Sequence, residues 1–179
     1  MRICFVCTGN ICRSPMAEQV MRARVAEAGL ESEIQVDSAG TGSWHVGDPA
    51  DERAVRVLRA AGYGSDHVAR QFRPEWFATH DLIVALDRGH ERALRRLART
   101  SEEAAKIRLL RSFDTSRHSD DPDDLDVPDP YYGGLDGFEE VLALCEAGCD
   151  GLLAEVGRGK ERGQEHGGLK PSRGVRGAS

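Results

Sequence analysis

Residues 2 to 28 constrain the fold more than any other stretch. A short apolar run, Arg2 to Cys7, breaks at Thr8-Gly9-Asn10, and helical spacing takes over from Pro15 to Ala28. A run this short and this apolar reads as a buried strand, whereas Met16, Val20 and Met21 recur on one helical face. A strand feeding straight into a helix is half of a βαβ unit, and the pattern repeats along the chain. Ile34 to Ser38 suggests a second strand. Asp48 is placed to cap a helix over Pro49 to Ala61, with Val55 and Leu58 inward and Gly62 at its end. Asp81 to Leu86 reads as a third buried strand and Arg88 to Arg99 as a basic helix, with a fourth strand over Ile107 to Ser112. A last helix near Gly137 to Val156 aligns Phe138, Val141, Leu142, Cys145, Cys149, Leu152 and Val156. The expectation is a parallel α/β sheet covered on both faces, with its ligand site beyond the strands' carboxyl ends.

Composition narrows the function. The longest apolar runs, Leu82 to Leu86 and Val141 to Cys145, fall far short of the roughly 18 residues that cross a bilayer, so no membrane partner is expected. No signal-peptide core is visible, because Thr8, Gly9 and Asn10 cut the first apolar run short. A formal charge of -6 argues against nucleic acid as a partner. Five cysteines, three of them crowded as Cys4, Cys7 and Cys12, do not resemble a secreted disulfide framework and point to a reducing, cytoplasmic setting. No fourth Cys or His accompanies that trio, so no metal is expected. Residues 157 to 179 carry six Lys or Arg against two Asp or Glu, and seven of these 23 residues are Gly. With almost no apolar side chains, this segment is expected to be a disordered tail behind a single domain of residues 1 to 156.

The junction itself carries chemistry. In Cys7-Thr8-Gly9-Asn10-Ile11-Cys12-Arg13-Ser14-Pro15, Gly9 aided by Asn10 permits positive φ values that turn backbone N–H groups inward as an anion nest. The helix that follows adds the positive end of its dipole, and Pro15 fits its first turn. Arg13 offers a planar fork that grips two phosphate oxygens. Cys7, at the base of this positive cradle, is favoured as the thiolate and lies in line to attack a seated phosphoryl group.

The segment from Val6 to Glu18 resembles the signature of the low-molecular-weight protein-tyrosine phosphatases of bacterial type. The resemblance continues through Asp37-Ser38-Ala39-Gly40-Thr41, Trp44-His45-Val46-Gly47, His67-Val68-Ala69-Arg70-Gln71 and Asp129-Pro130-Tyr131-Tyr132-Gly133, in the family's order. It implies a four-stranded parallel sheet flanked by helices, with the phosphate-binding loop between the first strand and first helix and no cofactor. It also implies hydrolysis of phosphotyrosine in proteins, and of small aryl phosphates, through a cysteinyl-phosphate. The implied partners are tyrosine-phosphorylated proteins and phosphate. Cys7 would be the nucleophile and Arg13 the clamp, with the loop backbone of Thr8, Gly9, Asn10, Ile11 and Cys12 around the phosphate. Asp129 would be the general acid; without the resemblance, any carboxylate between Asp114 and Tyr132 could claim that role. Trp44, Tyr131 and Tyr132 would wall the ring. Asn10, Ser14, Ser38 and His67 would hold the loop, and Cys12 could form a protective disulfide with Cys7.

Two other enzymes share the loop. Arsenate reductases need a later cysteine pair to pass electrons onward, and here Cys145 and Cys149 fall on a core-facing stripe. Protein-arginine phosphatases resemble the loop with Thr where this chain has the bulkier Ile11. A phosphotyrosine-binding module without turnover would have no use for both Cys7 and Asp129.

Overall fold

The computed structural model describes residues 1–117 and 121–165, with only the backbone for 122, 123 and 159–165. Four strands, β1 (Arg2–Cys7), β2 (Gln35–Gly40), β3 (Leu82–Ala85) and β4 (Ile107–Leu109), form one parallel sheet in the order β2-β1-β3-β4. Strand β1 is central, and Ile3 to Val6 are fully buried because both faces of the sheet are covered. Alternation divides its side chains between two cores. Ile3, Phe5 and Cys7 pack beneath helices α1 (Arg13–Glu27) and α6 (Leu135–Glu165), whereas Cys4 and Val6 face Phe77 and Leu94 on the other side. Leu94 belongs to α4 (Arg88–Leu97), the basic helix, which buries only His90 and Leu94.

Three expectations shift. The second helix, α2 (Glu52–Ala60), starts later than proposed: Asp51, not Asp48, caps it by accepting from the Arg53 N–H. Asp48 is committed elsewhere, since its carbonyl accepts from Ala69 N at 2.8 Å and holds the preceding segment in a loop. The inward face of α2 is Ala54, Val57 and Leu58, with Val55 only half-buried. Strand β4 ends at Leu109 and passes into a 3₁₀ turn, Leu110–Ser112, because α6 crosses there at very close range. A Cβ on Gly148 would come within 2.7 Å of the Leu110 side chain, and one on Gly151 within 1.8 Å of the Phe113 carbonyl oxygen. Only glycine fits at those two turns of the helix. Helix α6 then continues to Glu165, past the expected boundary at residue 156. The rest of the proposed tail, 166–179, lies outside the described residues. Two short helices complete the body, α3 (Trp76–Thr79) and α5 (Ser101–Ala105). Among the described residues no helix is long and apolar enough to cross a membrane.

Candidate active site

The chain leaves β1 at Cys7 and enters α1 at Arg13, so the five residues between the buried strand and the helix form one tight loop. Asn10 alone of them takes a positive φ, 55°. An amide side chain tolerates this region better than most, and Asn10 is locked there from three sides. Its Oδ1 accepts from Arg70 N at 2.8 Å, and its Nδ2 donates to Ser14 Oγ and Ser38 Oγ, each at 2.9 Å. Gly9 does not adopt the positive φ expected of it. A Cβ there would sit 2.9 Å from His45 Cδ2, so a larger residue would have to push the His45 ring aside. Gly40 makes room on the other flank, where a Cβ would meet the Thr8 carbonyl oxygen at 2.6 Å. No backbone carbonyl among the described residues accepts from the N–H groups of Gly9 to Arg13. Those donors, with the N-terminus of α1, make the loop an anion cradle.

Behind the loop runs a polar chain that the fold buries almost completely. His67 Nε2 donates to the Asn10 carbonyl at 2.6 Å, and its Nδ1 lies 3.6 Å from Glu18 Oε2. Ser38 Oγ donates to the same carboxylate oxygen. Ser14 Oγ receives the Asn10 amide and has two neighbours for its own proton, Cys7 Sγ at 2.9 Å and the Ala39 carbonyl at 3.3 Å. His67 is therefore a buried structural donor rather than a surface histidine. Cys12, beside Cys7 in the cleft, is buried. Desolvation, reinforced by the Asp51 and Cys7 charges, pushes its thiol up to about 12.

Arg13 is 4 % exposed and is gripped along one edge. Its Nη1 donates to Asp87 Oδ2 at 2.8 Å and to the Val127 carbonyl at 3.0 Å. Its Nη2 lies 3.5 Å from His90 Nε2 and 3.6 Å from Asp129 Oδ2, while its Nε, buried, has no protein partner. Buried N–H groups are nearly always paired, so an orphan in a guanidinium beside an anion cradle marks where a ligand oxygen belongs. Burial alone would raise the Asp87 carboxyl, but His90 and Arg13 outweigh it and hold the group below the usual carboxylate range.

One cleft of about 250 Å³ gathers the pieces. Cys7, Thr8, Gly9, Cys12 and Arg13 line it together with Ile11, Trp44, His45, Asp129, Tyr131 and Tyr132. Trp44 is 76 % exposed and Tyr132 91 %, so the aromatics form a rim rather than packing into the body. Tyr131 and Tyr132 meet edge to face at 5.0 Å. Asn10, Ser14, Ser38 and His67 do not line the cleft but support its floor from behind. The loop bearing Asp129 is pinned at both ends: Val127 N donates to Leu86 O, and Arg53 Nη1 donates to Gly133 O. Arg53 also lies over the Phe138 ring at 4.6 Å.

Asp87, His90 and Glu18 were not singled out from sequence. Asp87 had a findable signal, because it follows β3 at the sheet's carboxyl edge and caps α4. The buried Glu18 had none beyond its place in the signature.

Among the described residues one other cluster offers metal-ligand types, Cys4, Asp37 and His80. His80 Nε2 already faces both Asp37 oxygens at 3.0 and 3.1 Å, and Arg2 and Arg70 approach the same carboxylate. This is a charge-balanced network under β1, away from the cleft.

A four-stranded parallel sheet with an anion loop between its central strand and first helix, closing on a cysteine and an arginine, defines the class of small α/β phosphatases. The profile of the family described as low molecular weight phosphotyrosine protein phosphatase matches residues 2–162, and the chain belongs to that family. A low molecular weight protein-tyrosine-phosphatase of Streptomyces coelicolor is 63 % identical over 155 residues, 87 % of this chain and 93 % of the relative. The crystal structure of a protein tyrosine phosphatase from Entamoeba histolytica superposes with a TM-score of 0.83 at 36 % identity, covering 89 % of this chain and 99 % of the other. A Drosophila arginine phosphatase also superposes, with a TM-score of 0.79 at 31 % identity over 87 % of this chain and 98 % of its own.

Proposed function

We propose that the chain hydrolyses phosphotyrosine in proteins, and small aryl phosphates, by way of a cysteinyl-phosphate on Cys7. The observation that carries this reading is the unpartnered Arg13 Nε–H beside the loop's free N–H groups, in a cleft that Cys7 and Asp129 both line. A phosphate dianion seated there takes hydrogen bonds from the loop backbone and from the Nε–Nη2 edge of Arg13. Cys7 Sγ attacks phosphorus in line as the bond to the aryl oxygen breaks, and Asp129 delivers its proton to that oxygen. The Asp129 carboxylate then takes a proton from water, which attacks phosphorus and expels the Cys7 thiolate. Positioning and charge stabilisation supply most of the rate, as a loose phosphoryl transition state requires.

The cleft supports an aryl ester for a second reason. Trp44, Tyr131 and Tyr132 rim it, and Ile11 adds an apolar wall where a guanidinium would need polar partners. Relay chemistry of the arsenate-reductase kind is disfavoured, because Cys145 and Cys149 are fully buried in α6. Cytoplasmic proteins phosphorylated on tyrosine are the proposed partners, in a compartment that keeps Cys7 and Cys12 reduced.

The test is turnover of phosphotyrosine, phosphoserine and phosphoarginine peptides of matched sequence, without added metal. Phosphotyrosine should be preferred, and Ile11→Thr should move the preference toward phosphoarginine. Equal kcat/KM for the tyrosine and arginine substrates in the wild type overturns the assignment.

A further inference from the structure

His90 is buried in the first turn of α4 and touches the two parts of the phosphate site that move charge into place. Its Nε2 lies 2.8 Å from Thr8 Oγ1 and 3.5 Å from Arg13 Nη2. Asp87 ties the same groups from the other side, with Oδ2 on Arg13 Nη1 and Oδ1 accepting the His90 backbone N–H at 2.8 Å. His90 Nδ1 is 3.1 Å from that same Oδ1, within ion-pair range but without hydrogen-bond geometry.

These neighbours fix the state of the ring. A guanidinium can only donate, so Nε2 facing Arg13 must present a lone pair. A proton on Nε2 would also leave a bare Nδ1 turned toward a carboxylate oxygen, lone pair against lone pair. An imidazolium would set two cations side by side in a buried site. Burial, opposed by Asp87 and reinforced by Arg13, lowers the ring's affinity for a second proton to a pKa of about 4, with Asp129 and Asp126 the other charges facing it. A histidine serving only to pack α4 would have no reason to aim an acceptor at the loop.

We propose that His90 is a positioning residue for the phosphate clamp, a neutral imidazole protonated on Nδ1 that accepts at Nε2 from Thr8 and Arg13. It thereby sets the hydroxyl of the loop residue next to Cys7 and steadies the Nη2 edge that Asp87 does not hold. The inference rests on the phosphate-binding part of the proposed function and not on its choice of tyrosine.

Two measurements test it. In ¹⁵N-labelled full-length protein, long-range ¹H–¹⁵N correlations of the imidazoles report the tautomer directly, with His90 assigned by loss of its signals in His90→Gln. The expected pattern is an unprotonated Nε2 and a protonated Nδ1 from pH ~5.5 to ~8, with or without inorganic phosphate. A ring that titrates within that range, or carries its proton on Nε2, overturns the proposal. In parallel, His90→Leu keeps bulk without an acceptor, and His90→Gln returns an oxygen near the Nε2 position. Hydrogen bonds to charged groups are worth roughly 10- to 100-fold, so His90→Leu should raise the inhibition constant of inorganic phosphate and lower kcat/KM by about that factor. His90→Gln should recover most of both. A folded leucine variant that binds phosphate as the wild type does, or equal losses in both variants, refutes the role. If the leucine variant does not fold, the tautomer pattern and the glutamine variant still decide. Normal phosphate binding with no turnover of aryl phosphate would sink the proposed function and leave this inference standing.

Discussion

Neutralising Asp129 separates chemistry from architecture. Its carboxylate is 49 % exposed and its nearest cation, Arg13 Nη2, is 3.6 Å away, so the pair is screened by solvent. Asp129→Asn should therefore cost under about 1 kcal/mol of stability, and a thermal shift of no more than about 4 °C in a protein of this size. Arg13 stays gripped by Asp87 and the Val127 carbonyl, so phosphate affinity and KM should barely change. The loss falls on kcat, by about 10²–10⁴-fold, because the proton is needed only as the aryl–oxygen bond breaks. The assay is a series of substituted phenyl phosphates, and the deficit should shrink as the phenol becomes more acidic. Asp124→Asn and Asp126→Asn should show the opposite signature. Asp124 is bound by Arg111 and Arg117, and Asp126 accepts from the Arg88 N–H at 2.8 Å. Those variants should lower Tm and leave the leaving-group dependence unchanged. A leaving-group-dependent loss in either of them, and none in Asp129→Asn, would show that the proton comes from elsewhere.

Cys7→Ser should abolish turnover while phosphate still raises Tm, because the cradle donors are backbone N–H groups and Arg13. Residual turnover near wild type would remove Cys7 from the mechanism. Mild peroxide should inactivate the enzyme reversibly through a Cys7–Cys12 disulfide, with Cys4, Cys145 and Cys149 unmodified in peptide mass maps, because only Cys7 and Cys12 line the cleft and the other three are fully buried. Sulfinic acid on Cys7 with Cys12 free would contradict this. Acid should weaken the fold through His90. The unfolded chain takes up that proton near 6.5 and the folded ring only near about 4, so stability drops as pH falls across this interval, on the order of 3 kcal/mol in full. Urea unfolding at pH ~7 and ~5 should show a smaller drop in His90→Leu, and an identical drop would refute the linkage.

The loop was legible because it is local: everything that cradles an anion lies between Cys7 and Arg13, and its spacing is printed in the chain. The buried strands were legible because apolar runs of that length admit few other readings. What the sequence could not show were choices made by distant partners. Asp48 and Asp51 are equally good caps in isolation, and Asp51 wins because Ala69 claims the Asp48 backbone and Asp51 N donates to Ile11 O. Strand β4 stops short because Gly148 and Gly151, nearly forty residues on, let α6 press against Leu110 and Phe113. The positive φ went to Asn10 rather than Gly9 because Arg70 and Ser38, both remote in sequence, hold the asparagine amide. Asp87 and His90 reach the site from the end of β3, beside β1 in the sheet but some eighty residues on in the chain, and no spacing near Cys7 announces them.

The unmatched Arg13 Nε has a consequence for how such an enzyme behaves in a cell. A guanidinium edge and a ring of N–H groups built for a dianion do not distinguish the phosphate being removed from phosphate already released. Free phosphate should therefore compete with substrate for the same donors. Product release and substrate entry then use one and the same set of donors, so added phosphate should slow turnover without touching any other part of the molecule.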